Sequence, residues 1–246
     1  GVIVGFTETM GWAVTNGTDD VLDWYSLRFR DEKRQEYFFD NTWRPVILRD
    51  EEIKIAGGKS EILKTRETHV GPIVFDEGDS PGGAAIPVGL APQWTGFIPS
   101  NEIRSFLLLN RATTAADCKA ALKDYISPGQ NFTCGDRSGR ITYRHSGVFP
   151  VRKGRDGRFV IEATSDDDLW RGFLPPEESP AYDTTTDVIV TANQSPIQGE
   201  ALTKFGWFFA APFRALEIRS KIESKREWQP EEMIEVQADQ TSWLAK

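Results

Sequence analysis

Short runs in which apolar and polar residues alternate fill the first third of the chain. They predict strands over residues 1–7, 10–15, 24–29, 36–39, 43–50, 51–55 and 61–74, with Gly57-Gly58 at a hairpin tip. Residues 78–92 are rich in Gly and Pro, carry no period, and read as a loop. From residue 102 the period lengthens, predicting helices over 102–110 and 113–126. Thr113 or Thr114 is the expected N-cap of the second, with Ala116, Ala120, Leu122 and Tyr125 on its buried side. Strands return at 131–134 and 141–147 as a hairpin turning through Asp136-Arg137-Ser138-Gly139. Residues 188–192, a continuous β-branched run, predict a buried strand. Helical patterns close the chain over 212–227 and 230–246, the latter opened by Pro230 with Glu231 and Glu232 in its first turn. Many antiparallel strands with helices inserted as blocks define an α+β protein, and residues 1–246 read as a single α+β region.

Within this pattern the stretch GWAVTNGTDDVLDWY, residues 11–25, concentrates the most chemistry. An apolar strand end leads into Asn16-Gly17, the dipeptide best suited to positive φ, and Asp19, Asp20 and Asp23 follow at once. A turn that exposes backbone N–H groups beside clustered carboxylates can hold an anion on one side and a cation on the other. An acidic, solvated hairpin loop has the same composition.

Composition narrows the classes. Hydrophobic residues make up 39% and charged residues 27%, and the mean hydropathy is -0.42. These are values of an ordinary globular chain, without an apolar run of membrane-spanning length. A formal charge of -8 with basic residues scattered among acids argues against a nucleic-acid partner. Cys118 and Cys134 show neither a CxxC nor a metal-ligand spacing, so free, partly buried thiols are expected. His69 and His145 are the only histidines and belong to no ligating array, so structural roles are expected of them. Asn16 and Asn131 each open an Asn-X-Thr triplet, a pattern that often arises by chance. Because the chain begins inside a strand pattern, without a leader, and ends as abruptly, it is expected to be an internal piece of a longer protein.

No GxSxG, phosphate loop or Cys/His pair is present. One further candidate is TANQSP, residues 191–196, where Asn193 follows a predicted strand. A carboxamide in that place can donate N–H to a developing oxyanion, and it can equally be a turn former.

Seven segments in this order carry a wider resemblance: GWAVTNGTDDVLD (11–23), DEKRQEYFFDNTWRPVILRDEEIKIAGG (31–58), RETHVGPIV (66–74), NFTCGDRSGRITYRHSGVFPVR (131–152), LWRGFLPPEESP (169–180), VTANQSP (190–196) and FRALEI (213–218). Together they resemble the penicillin acylase family of N-terminal nucleophile hydrolases. The resemblance implies a four-layer αββα fold and acyl transfer from a linear amide to water. In that chemistry an N-terminal serine attacks with its own α-amino group as base, whose ordinary pKa is about 8, so no histidine is needed.

Residue by residue, the family's backbone oxyanion donor falls on Asn16, its side-chain donor on Asn193, and its site arginine on Arg214. Acyl-pocket positions fall on Val4, Val14 and Gln130. A calcium set falls on Asp20, the Leu22 carbonyl and Asp23, while a later aspartate ligand falls on Thr203 or Lys204. His69 stands one residue away from the family's usual His-Gly position, so no catalytic role is given to it. The nucleophile would lie upstream of Gly1, which implies a fragment of the larger subunit that is inactive alone, partnered by the missing α-subunit and upstream β-subunit segment, and located in the periplasm. A noncatalytic scaffold and a calcium-binding module of the same fold are the alternatives.

Overall fold

The computed structural model describes residues 2–74, 89–154, 156–186 and 188–245. In chain order the strands are β1 (Gly5–Phe6), β2 (Met10–Asn16), β3 (Leu22–Ser26), β4 (Arg28–Phe29), β5 (Glu36–Phe39), β6 (Thr42–Pro45), β7 (Ile47–Ile53), β8 (Glu61–Glu67), β9 (Pro72–Ile73) and β10 (Leu90–Trp94). Helices α1 (Glu102–Leu109) and α2 (Ala115–Ala121) follow. Next come β11 (Gln130–Asp136), β12 (Ile141–Ser146), β13 (Ile161–Glu162), β14 (Ala181–Thr184), α3 (Phe213–Glu223) and α4 (Glu232–Ala238). The class is α+β. Pairing is antiparallel among these strands except where β13 runs parallel to β3.

The chain divides into two compact units, each assembled from separate segments. The first comprises Gly1–Asp20, Ile98–Phe149 and Leu174–Lys246. Its five-stranded sheet has the order β1-β2-β11-β12-β14. Helices α1 and α2 and the segment after α2 close over this sheet through Leu109, Cys118, Leu122 and Tyr125, which meet Met10, Trp12, Phe132 and Cys134 from the strands. Both helix starts are fixed by side chains. Asn101 accepts the Arg104 N–H at 3.1 Å, and Thr114 forms a capping box with Asp117, leaving fewer orphan donors at each terminus.

The second unit comprises Val21–Phe97 and Pro150–Phe173. It holds three three-stranded sheets, β10-β3-β13, β4-β5-β6 and β7-β8-β9. Tyr25, Tyr37, Phe39, Val70, Ile73 and Ile161 form the centre of its core. The β7–β8 hairpin carries Gly57 at its tip, as expected, with φ of 73°, a conformation glycine adopts without steric cost.

Several expected elements are corrected. Residues 43–50 are not one strand, because the chain leaves β6 at Pro45 and enters a different sheet as β7. Residues 61–74 are interrupted after Glu67. There the Thr68 hydroxyl donates to the Gly71 carbonyl at 2.8 Å and accepts the Val70 and Gly71 N–H groups, replacing the ladder by a local turn.

The run 188–192 is irregular backbone rather than a strand, half-buried up to residue 191 and buried at Ala192. Side chains take its polar groups: Arg219 donates to the Val188 carbonyl, Gln194 bonds the Val190 carbonyl and the Ala192 N–H, and Arg214 donates to the Ala192 carbonyl. The helix expected over 113–126 stops at Ala121, and those over 212–227 and 230–246 contract to α3 and α4. Cys118 and Cys134 are not free thiols. They form a disulfide joining α2 to β11, with Cα atoms 6.6 Å apart. Of the glycine-rich stretch at 78–92, residues 78–88 lie outside the described residues.

Candidate functional site

Strand β2 delivers Asn16 to the end of the first unit's sheet, opposite Gln130 at the start of β11. The Gln130 Nε2 donates to Asn16 Oδ1 at 3.1 Å. Asn193 reaches the same place from the irregular segment. Its backbone sits at φ of 67°, a left-handed conformation asparagine tolerates, and its Nδ2 donates to the Asn16 carbonyl at 3.1 Å. Arg214, in the first turn of α3, donates to the Ala192 carbonyl at 2.6 Å and to Asn193 Oδ1 at 2.8 Å. A guanidinium has only donors, so the atom it meets must be the amide oxygen and the Asn193 Nδ2 must face Asn16. One Nδ2 hydrogen is thereby engaged and the second has no partner among the described residues. Asn16 and Arg214 are exposed and Asn193 is half-buried, so the cluster is open to small molecules.

A second layer holds Asn16 from behind. Asn131 on β11, 2% exposed, donates from Nδ2 to Thr15 Oγ1 at 3.2 Å and to the Asn16 carbonyl at 3.3 Å. Its Oδ1 accepts the Tyr143 hydroxyl at 2.6 Å and faces His145 Nδ1 at 2.8 Å. With Asn131 oriented by the Asn16 carbonyl, Nδ1 of His145 must carry a proton, and Nε2 shares one proton with Asp19 Oδ1 at 2.8 Å. The Asp19 and His145 side chains are wholly buried. Burial likewise pushes the Tyr143 phenol above its ordinary pKa, so it remains a donor. The burial of Asn131 also disposes of its Asn-X-Thr triplet as a surface site.

Sequence reading placed Asn16, Gln130, Asn193 and Arg214, and these four are brought together. Val14 lies two residues before Asn16 on β2 and packs against the α1/α2 core. Val4 lies just before β1 and is exposed. The layer of Asp19, Asn131, Tyr143 and His145 was missed. Asp19 was read with the acidic row, and Asn131 only as a triplet. The register Asn131↔His145 between β11 and β12 creates the contact.

The turn itself departs from expectation. Positive φ falls on Thr18, at 60°, rather than on Gly17. Gly17 is required for space: a Cβ there would stand 2.2 Å from Asp19 Oδ2 and 2.8 Å from both the Gly129 carbonyl oxygen and His145 Cε1.

The acidic row serves two separate purposes. Asp19 faces His145, while Asp23, fully buried on β3, accepts Arg152 Nε at 2.7 Å, Arg152 Nη2 at 3.1 Å and Trp170 Nε1 at 2.6 Å. A guanidinium therefore already neutralises Asp23. Among the described residues no group of three or more His, Cys, Asp or Glu could hold a metal ion.

The fold is that of an acylase. The chain superposes on the thermostable penicillin G acylase from Alcaligenes faecalis with a TM-score of 0.73, covering 95% of this chain and 41% of that one at 21% identity. The sequence model of the penicillin amidase family matches residues 1–246, and the chain belongs to that family. It is 27% identical over 232 residues to penicillin G acylase of Escherichia coli, covering 92% of this chain and 26% of that protein. It is 26% identical to the penicillin acylase 2 proenzyme of Pseudomonas sp. (strain SE83), covering 95% of this chain and 30% of that protein. It is also 26% identical to the acyl-homoserine lactone acylase QuiP of Pseudomonas aeruginosa, covering 98% of this chain and 29% of that protein. The chain thus spans between a quarter and a third of the length of these curated relatives.

Proposed function

We propose that this chain is the oxyanion-binding part of an amidase that transfers the acyl group of a linear amide to water. The observation that carries the reading is the hydrogen-bonded series Arg214–Asn193–Asn16, in which an arginine fixes a carboxamide beside an exposed strand end. In the proposed reaction a serine outside this chain adds its hydroxyl oxygen to the amide carbonyl carbon, and its own α-amine takes the proton. The carbonyl oxygen becomes an oxyanion, accepting the Asn16 backbone N–H and the free Nδ2 hydrogen of Asn193. Collapse breaks the carbon–nitrogen bond, the amine leaves with the proton, and water then hydrolyses the acyl ester. Donors fixed before the reaction stabilise the developing charge without reorganisation.

Val4, Val14 and Gln130 are proposed to bound the acyl group. Gln130 is placed for this by its Nε2, which donates to Asn16 Oδ1. The proposed partners are an α-subunit and an upstream β-subunit segment, and the proposed location is the periplasm. The Cys118–Cys134 disulfide supports an oxidising compartment, and no helix among the described residues is long and apolar enough to cross a membrane.

The test is hydrolysis of phenylacetyl and aliphatic amides by the full-length gene product and by this chain alone. Turnover by the full-length product, its loss in Asn193→Ala and an inert isolated chain are expected. Robust turnover by the isolated chain overturns the external nucleophile, and an inactive full-length product overturns the amidase reading.

A further inference from the structure

The segment after α2 and the end of β12 line an open cavity of about 270 Å³ in the first unit. Leu122, Val148 and Pro176 give it apolar wall, and the wall at Ile126 is held in place by Glu102, whose Oε1 accepts the Ile126 and Ser127 N–H groups at 3.3 and 3.1 Å. Arg144 and Ser146 supply polar lining from β12. They are two residues apart and so share one face of the strand, opposite the face of Tyr143 and His145.

Neither polar group is satisfied. Ser146 is 3% exposed and its Oγ has no partner. Arg144 Nε is likewise buried without an acceptor. A guanidinium Nε and a hydroxyl buried and left unpaired beside one pocket are costly, and in native proteins such groups mark a ligand, an ion or ordered water. The other ionisable groups lining the cavity do not cancel Arg144. Asp124 is paired with Arg104 at 3.2 Å, Lys123 adds a second cation, and the His145 ring is committed to Asp19 and Asn131.

We propose that this cavity binds a small monocarboxylate with a compact hydrocarbon body. The planar fork of Arg144 matches a carboxylate with two parallel hydrogen bonds, a geometry that favours carboxylate over a point anion. Ser146 Oγ–H donates a third bond. The hydrocarbon body lies against Leu122, Val148 and Pro176. A dry cavity of about 150 Å³ accommodates benzene, so the space suffices for a ring-sized acid. None of these polar groups belongs to the Asn16–Asn193–Arg214 cluster, and the proposal does not depend on the amidase reading.

The experiment is calorimetric titration of this chain with sodium benzoate, with benzamide as the uncharged isostere and inorganic phosphate as a plain anion. Saturable benzoate binding is expected, with benzamide and phosphate each at least about tenfold weaker, a factor corresponding to about 1.4 kcal/mol. Arg144→Met, which keeps the apolar stem and removes the cation, is expected to abolish binding while leaving the melting temperature unchanged or raised. Ser146→Ala is expected to weaken binding about tenfold, the scale of one hydrogen bond to a charged group. Equal binding of benzoate and benzamide, tighter binding of phosphate, unchanged binding in folded Arg144→Met, or absence of benzoate binding at millimolar concentration would each overturn the proposal.

Discussion

The guanidinium of Arg214 meets Oδ1 of Asn193 at 2.8 Å, although the two residues are 21 apart in sequence. Because that contact can only be made to the amide oxygen, it decides which end of Asn193 faces Asn16. On the proposed amidase reading, Arg214→Met in the full-length gene product should therefore lower kcat by about tenfold to a hundredfold, the range of one lost charge-assisted hydrogen bond, with little change in KM. Asn193→Ala should cost about 10²–10³ in kcat. Steady-state kinetics on one amide substrate separates the two, and Arg214→Lys should recover part of the loss. Equal effects on kcat and on substrate binding would point to simple unfolding of α3.

Asp23 offers a different test. Its carboxylate is buried with Arg152 and Trp170 as donors, so Arg152→Met should destabilise the chain by about 3–5 kcal/mol, the cost of stranding a buried charge. The double variant Asp23→Leu/Arg152→Met should regain most of it. Since this carboxylate is already neutralised, a calcium chelator should leave the melting temperature of the wild-type chain unchanged. Urea denaturation with and without chelator measures both.

Reduction of Cys118–Cys134 opens a loop of 16 residues. The expected loss is about 3 kcal/mol, and Cys118→Ser and Cys134→Ser should each reproduce it, because both sulfurs are buried in the core that joins α2 to β11. Thermal melts in the presence and absence of reductant are the measurement.

His69 packs edge-on against Phe39 and meets the Tyr37 hydroxyl at 2.8 Å through Nδ1. Desolvation, followed by the nearby Arg44 charge, holds its pKa below the ordinary 6.5. The unfolded chain thus binds a proton more readily than the folded one. This contribution to stability is complete above pH 6.5 and is lost as pH falls from there towards the folded pKa. His69→Gln should flatten that part of the stability profile, as measured by denaturation midpoints between pH 7 and pH 5. An unchanged profile would refute the assignment.

The elements most legible in the sequence were those whose signals are local. Thr114 caps α2 because its hydroxyl and the Asp117 carboxylate exchange bonds within one turn, and Gly57 turns the β7–β8 hairpin with its own φ. Residues 188–192 misled because a β-branched run specifies burial and extension without specifying a ladder partner. Arg214, Arg219 and Gln194 supplied side-chain partners instead. The disulfide was illegible for the same reason, since 16 residues separate two cysteines whose meeting depends on α2 lying across β11.

By itself, then, the sequence determined the α+β class, most strand and helix positions, the family resemblance, and the four residues Asn16, Gln130, Asn193 and Arg214. Period, capping and turn chemistry act over a few neighbours, and ordered motifs carry the rest. Only the tertiary structure decided how those residues are oriented, that Asn131 and His145 stand behind Asn16, that the Asp19–Asp23 row is divided between a histidine and an arginine, and that Arg144 Nε and Ser146 Oγ lie beside one cavity without partners. These follow from strand register and from which donor reaches which acceptor across long stretches of chain, and a hydrogen bond fixed over about 3 Å leaves no local trace in composition or period.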